Sequence, residues 1–494
     1  MLNKPHHTFL LSLFFVIHVV NSYYGLIEFS IIVGFLFTYL LITLLILLSG
    51  FWIFKNFLKA GIWTTILLLV FFFFGSAHDL LKSNSILPGL FSKYLFILPT
   101  IFLTILCSFF YLKRSKQAFL TANKYLNALF VILVFIELFS LTYKMILGKE
   151  RENNLASYNL NIFDSLKVST EIKPDIFFIV FDEYASSLSL EKYLHFNNSE
   201  LDKILRQNNF YIAPKSKSNY NSTPFSLGST FSLDYFNRPL KLEKTVVKLR
   251  LQAFSSLKNS QLFSYFSSQG YHIHNFGLVS IRNYPVDFKE FSTDDKIMAF
   301  YRETLWGRIE KDIWWNIQIL FNSNPDEKNN NIAFKKNLKN FEYTLKELKI
   351  QNDTPKFVFL HVMMPHRPFV VDSTGRRINP VAPKHGSLNE DSLYINQVVF
   401  TNKWIKALAI AANKSFSRPR VVIIEGDHGW RDLNISQETI YDKEFMNLNS
   451  YFFSDNDYRL LYDSISPVNS FRIVLNKYFG TALPLLKDSS ILLD

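Results

Sequence analysis

The stretch PDIFFIVFDEY, residues 174–184, reads as a strand that stops at two carboxylates. Its run Ile176–Phe181 is apolar at every position, so both faces are covered, as in a parallel sheet with helices on both sides rather than a half-solvated hairpin. Tyr271–His274, Phe357–His361 and Val421–Ile424 read the same way, and amphipathic stretches at 190–206, 332–349, 392–413 and 468–479 alternate with them as helices. The pattern predicts an α/β domain over 173–494 with a mostly parallel central sheet covered on both faces. Near its end, NLNSYFFSDNDYR and SISPVNSFRIVLNKYFG read as a last strand and a closing helix, and Asn329–Asn331 as an exposed turn.

Upstream the solvent changes. The chain has 51 Phe and 17% aromatic residues, far above soluble usage, and apolar runs centre on 9–24, 29–53, 60–76, 94–112 and 126–146. Residues 1–147 are therefore expected to form a multi-pass α-helical membrane domain of about five spans, joined by a polar linker over 148–172. The first run has no small-residue cleavage site and is read as a retained helix. Lys4, Lys55, Lys59, Lys113, Arg114, Lys116 and Lys124 fall on one side against Lys82 and Lys93 on the other, which puts the N-terminus in the cytoplasm. An odd number of crossings then delivers the α/β domain to the periplasm or cell exterior. Glu137, inside the fifth run, either faces a neighbouring helix or meets a lipid head group.

Residues 1–150 hold 11 Lys and Arg against 4 Asp and Glu, so seven of the overall +12 belong to the membrane part. The remainder is spread thinly and without Arg-rich runs, which argues against nucleic acid and leaves anionic lipid or an envelope substrate as the partner. The single cysteine, Cys107, lies in an apolar run, so neither a disulfide framework nor a thiolate metal site is available.

Ligands of open α/β sheets gather at the carboxyl ends of the strands. Three strands here end in chemistry: Asp182-Glu183 in IFFIVFDEYAS, His361 and His366 in FVFLHVMMPHRPF, and Asp427-His428 in VVIIEGDHGWR. Carboxylates from one strand end and an Asp-His pair from another make a divalent-metal site; mixed oxygen and imidazole ligands suit Zn or Mn, and oxygen ligands alone Ca or Mg. Gly426 and Gly429 flank the pair and permit a tight turn. His361 reads as a core histidine at a strand end.

The fourth element is SNYNSTPFSLGSTFSLDYF, residues 218–236. Thr223 followed by Pro224 reads as a helix start, with Thr223 at the N-cap and Pro224 at the first helical position. A hydroxyl there sits beside free backbone N–H groups and the positive end of the helix dipole, a setting that holds a phosphoryl group. Asn221-Ser222-Thr223 also matches a glycosylation acceptor, a pairing at odds with a nucleophile at the same place.

In their order these motifs resemble the alkaline-phosphatase/sulfatase superfamily, and within it the membrane-bound phosphoethanolamine transferases and lipoteichoic-acid synthases. The resemblance spans roughly 172–480 and is most specific at PDIFFIVFDEY, NSTPFSLGSTFS and IIEGDHG. It implies one catalytic divalent metal held by Glu183 or Asp182, Thr223, Asp427 and His428, with Thr223 as nucleophile and Ser222 as the alternative. It also implies that His366 contacts the transferred group, with Arg367 assisting as an anion clamp. The sulfatase pattern Cys/Ser-x-Pro-x-Arg is broken by Ser226 where the Arg would stand. The implied activity is transfer of a phosphoryl-linked head group, phosphoethanolamine or phosphoglycerol, from a lipid to an envelope acceptor such as a glycan through a covalent threonine. Hydrolysis of sulfate or phosphate esters and a non-catalytic envelope protein are the alternatives.

Overall fold

A computed structural model describes residues 3–83, 89–156, 173–236, 246–286, 292–314, 327–378, 388–431 and 442–493. The chain divides into a helical unit, Met1–Asn154 with Thr293–Ser323, and an α/β unit, Leu155–Ser292 with Asn324–Asp494. The linker expected over 148–172 lies outside the described residues beyond 156; before that the last helix continues.

The helical unit contains α1 (His7–Ser22), α2 (Phe29–Phe54), α3 (Phe57–Ser83), α4 (Tyr94–Arg114) and α5 (Leu120–Ala156), one for each apolar run. Among the described residues α2, α3, α4 and the Leu120–Leu147 part of α5 are long and apolar enough to cross a membrane. At 16 residues α1 rises about 24 Å, less than the roughly 30 Å of a hydrocarbon core. Its polar side chains are used for packing. Ser12 Oγ meets Thr43 Oγ1 at 2.6 Å, and the His7 ring lies between Thr65 and Asn123 at 2.7 and 3.1 Å. Glu137 takes the neighbouring-helix option: its Oε2 accepts from Asn21 Nδ2 at 2.5 Å and its Oε1 lies 2.7 Å from His18 Nδ1, both on α1.

In the α/β unit come β1 (Asp175–Phe181), α6 (Ser187–Leu194), α7 (Ser199–Gln207), β2 (Tyr211–Ile212), α8 (Thr223–Ser232), α9 (Val246–Lys258), α10 (Gln261–Ser268) and β3 (His272–Phe276). The chain then passes through α11 (Ser292–Tyr301) and α12 (Leu305–Ile309), which belong to the helical unit, and the α/β unit resumes with α13 (Glu327–Lys349), β4 (Lys356–Val362), α14 (Leu388–Ala412), β5 (Arg420–Gly426), β6 (Asn449–Phe453) and α15 (Pro467–Phe479). The sheet order is β2-β6-β5-β1-β4-β3, with β5, β1, β4 and β3 parallel, β6 antiparallel to β5, and β2 antiparallel to β6 at that edge. Every residue of β1 is buried because the strand feeds two cores. Phe177, Ile179 and Phe181 pack with Trp404 and Leu408 of α14, while Ile176, Phe178 and Val180 pack with Phe231 of α8 and Phe471 of α15.

Three local expectations are corrected. The helix read over 190–206 is two, because His195 takes a left-handed conformation (φ 52°) that ends the first. Asn329–Asn331 belong to α13 rather than to a turn. And the stretch from Thr293, read by sequence as part of the α/β domain, packs on the helices instead.

That packing is specific. Phe300 stacks on Phe35 at 4.5 Å and its carbonyl accepts from the Tyr39 hydroxyl at 3.1 Å. The Glu303 carbonyl accepts from Gly75 N at 2.8 Å; a Cβ on Gly75 would fall 2.8 Å from that same oxygen, so only glycine permits the approach. Buried Arg308 pairs with Asp79 at 2.5 Å, Lys296 with Glu28 at 2.5 Å, and the Tyr94 hydroxyl donates to Asp312 at 2.5 Å. These contacts engage the start of α2, the end of α3 and the start of α4, which share the end of the unit from which α5 leaves.

Candidate active site

The parallel strands β4, β1 and β5 lie side by side, with Val180 level with His361 on one neighbour and with Glu425 on the other. The alternation that aims Phe178 and Val180 toward α8 and α15 also carries Asp182, His361 and Asp427 to that face at the carboxyl ends. Asp182, Asp427 and His428 are buried, and one ligand atom from each lies within 4.8 Å of the others. His361, read from sequence as a core histidine, is buried but places Nε2 3.2 Å from Asp182 Oδ2, so it belongs to the cluster.

The backbone fixes these groups. Glu183 follows the strand with φ 63°, a conformation uncommon for a residue with a side chain and enriched at functional sites. Its N–H donates to Asp427 Oδ1 at 2.9 Å, and its carbonyl accepts from the Tyr394 hydroxyl at 2.7 Å. A Cβ on Gly426 would fall 2.3 Å from the Tyr184 carbonyl, and one on Gly429 2.3 Å from the Lys443 carbonyl. Close approach of neighbouring backbone explains both glycines. His428 Nδ1 lies 2.9 Å from the Gly429 carbonyl and donates to it, which leaves the Nε2 lone pair facing the cluster, 4.0 Å from Asp182 Oδ1 and 3.7 Å from Asp427 Oδ2.

Thr223 opens α8 beside the Asp427 carboxylate. The helix starts one residue earlier than expected: the Ser222 carbonyl accepts from Phe225 N at 3.1 Å and Ser226 N at 2.9 Å, so Ser222 is the N-cap and Thr223 the first helical residue. The Ser222 side chain makes no capping bond. Ser226 Oγ donates to the Asp427 carbonyl at 2.5 Å and ties α8 to the end of β5.

Burial pushes Asp427 up to about 6, with the Asp182 charge adding to the shift and His361 opposing it. Burial acts the same way on Asp182, but the imidazoles of His366, His361 and His428 outweigh it and hold that carboxyl well below the usual range. Burial and then the Arg431 charge lower His428 to about 4, so its imidazole is neutral near pH 7. Asp182 Oδ1, Asp427 Oδ2 and Glu183 Oε2 are buried without a hydrogen-bond partner. Unpaired buried carboxylate oxygens facing a neutral imidazole lone pair are unfavourable alone and fit a divalent cation.

Not every residue picked from sequence joins the cluster. Glu183 lies at its rim, with Oε1 accepting from Arg431 N at 2.9 Å and Oε2 3.7 Å from His366 Nε2. The His366 side chain is partly exposed, and its backbone N–H donates to the Asp182 carbonyl at 3.1 Å. Arg367 is engaged elsewhere: Nη1 pairs with buried Glu390 at 2.9 Å, Nη2 donates to the Arg431 carbonyl at 3.2 Å, and the guanidinium lies over the Trp430 ring. Among the described residues the cation that does reach the cluster is Arg431, whose Nη2 lies 2.9 Å from His428 Nε2. As the last residue of VVIIEGDHGWR, Arg431 carries no sequence signal of this contact.

No family model matches the sequence, and no curated protein matches it. Among solved structures, the zinc complex of the C-terminal periplasmic domain of EcEptC from Escherichia coli is similar at TM-score 0.39 and 12% identity, over 64% of this chain and 85% of that one. The integral membrane lipooligosaccharide phosphoethanolamine transferase A from Neisseria meningitidis is similar at TM-score 0.33 and 13% identity, over 96% and 94%. A putative sulfatase from Bacteroides thetaiotaomicron gives 0.38 and 13%, over 65% and 74%. At these scores the chemistry of this chain has to be read from its own residues.

Proposed function

We propose that this chain is a membrane-anchored, divalent-metal-dependent enzyme that transfers a phosphoryl-linked head group from a lipid donor to a cell-envelope acceptor through Thr223. The observation that carries the reading is the Thr223 hydroxyl at the start of α8, beside an Asp427 carboxylate that is itself grouped with Asp182 and His428.

Asp182, Asp427 and His428 would hold the cation, with Glu183 and Thr223 beside them. A bound divalent cation supplies positive charge that lowers the pKa of a neighbouring hydroxyl and offsets charge on the transferred group. The chain's own residues do the rest. The N-terminus of α8 would offer the Thr223 N–H and a positive dipole end to the phosphoryl oxygens, since Pro224 has no N–H and those of Phe225 and Ser226 are taken by the Ser222 carbonyl. Thr223 Oγ forms a bond to phosphorus as the bond from phosphorus to the donor's alcohol oxygen breaks, and the threonine proton leaves, in the net, with that alcohol. An acceptor hydroxyl then displaces Thr223 and returns a proton to its Oγ. His366 stands at the partly exposed rim, where the transferred group would lie.

The start of α2, the end of α3, the start of α4 and the exit of α5 share one end of the helical unit, while Lys55, Lys113, Arg114 and Lys116 lie at the other. With basic residues inside, the α/β unit is external, within reach of lipid head groups. Incubating the full-length chain in detergent with zinc and phosphatidylethanolamine or phosphatidylglycerol, then mapping any adduct, tests the reading. Release of free phosphate or sulfate without an adduct would favour the hydrolase alternative.

A further inference from the structure

We propose that Arg431 is the anion-binding cation of this site, recognising the tetrahedral oxyanion of a phosphoryl or sulfuryl ester. The inference rests on the metal reading of Asp182, Asp427 and His428 and adds to it the group that would meet the substrate's charge.

Three observations converge on Arg431. First, its Nη2 lies 2.9 Å from His428 Nε2, and since His428 Nδ1 is engaged by the Gly429 carbonyl, Nε2 is the only ring nitrogen left to ligate. One lone pair cannot serve both a guanidinium and a metal, so loading the site frees Nη2. Second, Arg431 has no carboxylate within ion-pair reach among the described residues, and its Nε is buried without a hydrogen-bond partner. A guanidinium that is neither neutralised nor fully hydrogen-bonded is an unsatisfied donor fork, the geometry that suits phosphate oxygens. Third, the backbone cannot retreat: Arg431 N donates to Glu183 Oε1 at 2.9 Å and its carbonyl accepts from Arg367 Nη2 at 3.2 Å. Trp430 next to it stacks on Tyr394 at 4.0 Å. The freed guanidinium therefore stays beside the cation, and two positive groups held that close are offset by an anion between them.

Arg367 is then a positioning residue. Its charge is taken up by Glu390, and its second arm holds the Arg431 carbonyl.

The test is titration calorimetry on the full-length chain in detergent, first with zinc and then, on the zinc-loaded protein, with inorganic phosphate. Wild type should bind zinc and then phosphate. Arg431→Gln should bind zinc at least as tightly, because a competitor for His428 Nε2 is gone, and should lose phosphate affinity by about tenfold or more. Arg431→Lys should keep zinc and lose phosphate affinity about threefold or more, since an ammonium lacks the fork. If Arg431→Gln loses zinc as well, Arg431→Lys decides: phosphate weakened with zinc retained supports the proposal. Phosphate affinity within twofold of wild type in either zinc-loaded variant overturns it. Failure of wild type to bind zinc would instead overturn the metal reading, and the proposal with it.

Discussion

Asp427 Oδ1 accepts the N–H of Glu183 at 2.9 Å, joining the turn after β1 to the end of β5 through one carboxylate oxygen, while Oδ2 is buried without a hydrogen-bond partner. One oxygen is structural and the other is available to a cation. Asp427→Asn keeps an acceptor for the backbone but removes the charge. Outer-shell changes alone cost metal sites about 10- to 100-fold, so this variant should lose zinc affinity by at least about 100-fold. The metal-free protein should melt at the same temperature or higher, because an uncompensated buried charge is gone. Calorimetry and a thermal melt check both parts.

Metal binding should depend on pH with a definite sign. Asp427 must be ionised to ligate, and burial holds it at about 6, so protons compete increasingly as pH falls below 6. His428, at about 4, adds a second proton only below that. Zinc affinity should be flat from pH 8 to 7 and fall about tenfold per unit below 6. For the metal-free fold the raised Asp427 contributes stability that is fully present below its unfolded pKa and lost as pH rises through about 6. Melts at pH 5 and pH 7, with and without zinc, should show zinc reversing that loss.

Gly426 couples packing to chemistry. A Cβ on Gly426 meets the Tyr184 carbonyl at 2.3 Å, and that backbone is held by Leu448 N at 3.0 Å. Gly426→Ala should destabilise the α/β unit by about 1–3 kcal/mol, as overpacking does elsewhere. It should also weaken zinc binding, because the shift occurs between Glu425 and Asp427.

Three of the four strands read from sequence, β1, β4 and β5, were legible because a fully covered strand leaves no polar alternation to confuse with a helix; the fourth, β3, is an edge strand whose His272 is exposed, so its reading as a buried strand is corrected. The strand-end carboxylates and imidazoles were legible for the same reason: they are where each run stops. The N-cap was misplaced by one because Ser222 and Thr223 both carry a capping hydroxyl, and only the Ser222 carbonyl bonds decide between them. The break at His195 has no glycine or proline to announce it. Arg367 and Arg431 could not be told apart as anion clamps, since what distinguishes them is Glu390 beside one and His428 beside the other. The docking of residues 293–314 on the helices was invisible because its partners, Asp79 for Arg308 and Tyr39 for Phe300, lie more than two hundred residues away.

Topology is open to a labelling test in which Cys107, the single cysteine, is replaced by alanine. A cysteine at Lys93, before α4, should react with a membrane-impermeant maleimide added outside intact cells. One at Lys116, after α4, should react only once the membrane is opened. The reverse pattern would put the α/β unit in the cytoplasm.

If Thr223 carries the transferred group, the intact mass of the zinc-loaded full-length chain registers it after incubation with phosphatidylethanolamine or phosphatidylglycerol. The mass should increase by one phosphoryl-linked head group, mapped to Thr223 and absent in Thr223→Ala. Turnover of either lipid by Thr223→Ala at the wild-type rate, or an adduct mapped to Ser222, would contradict it.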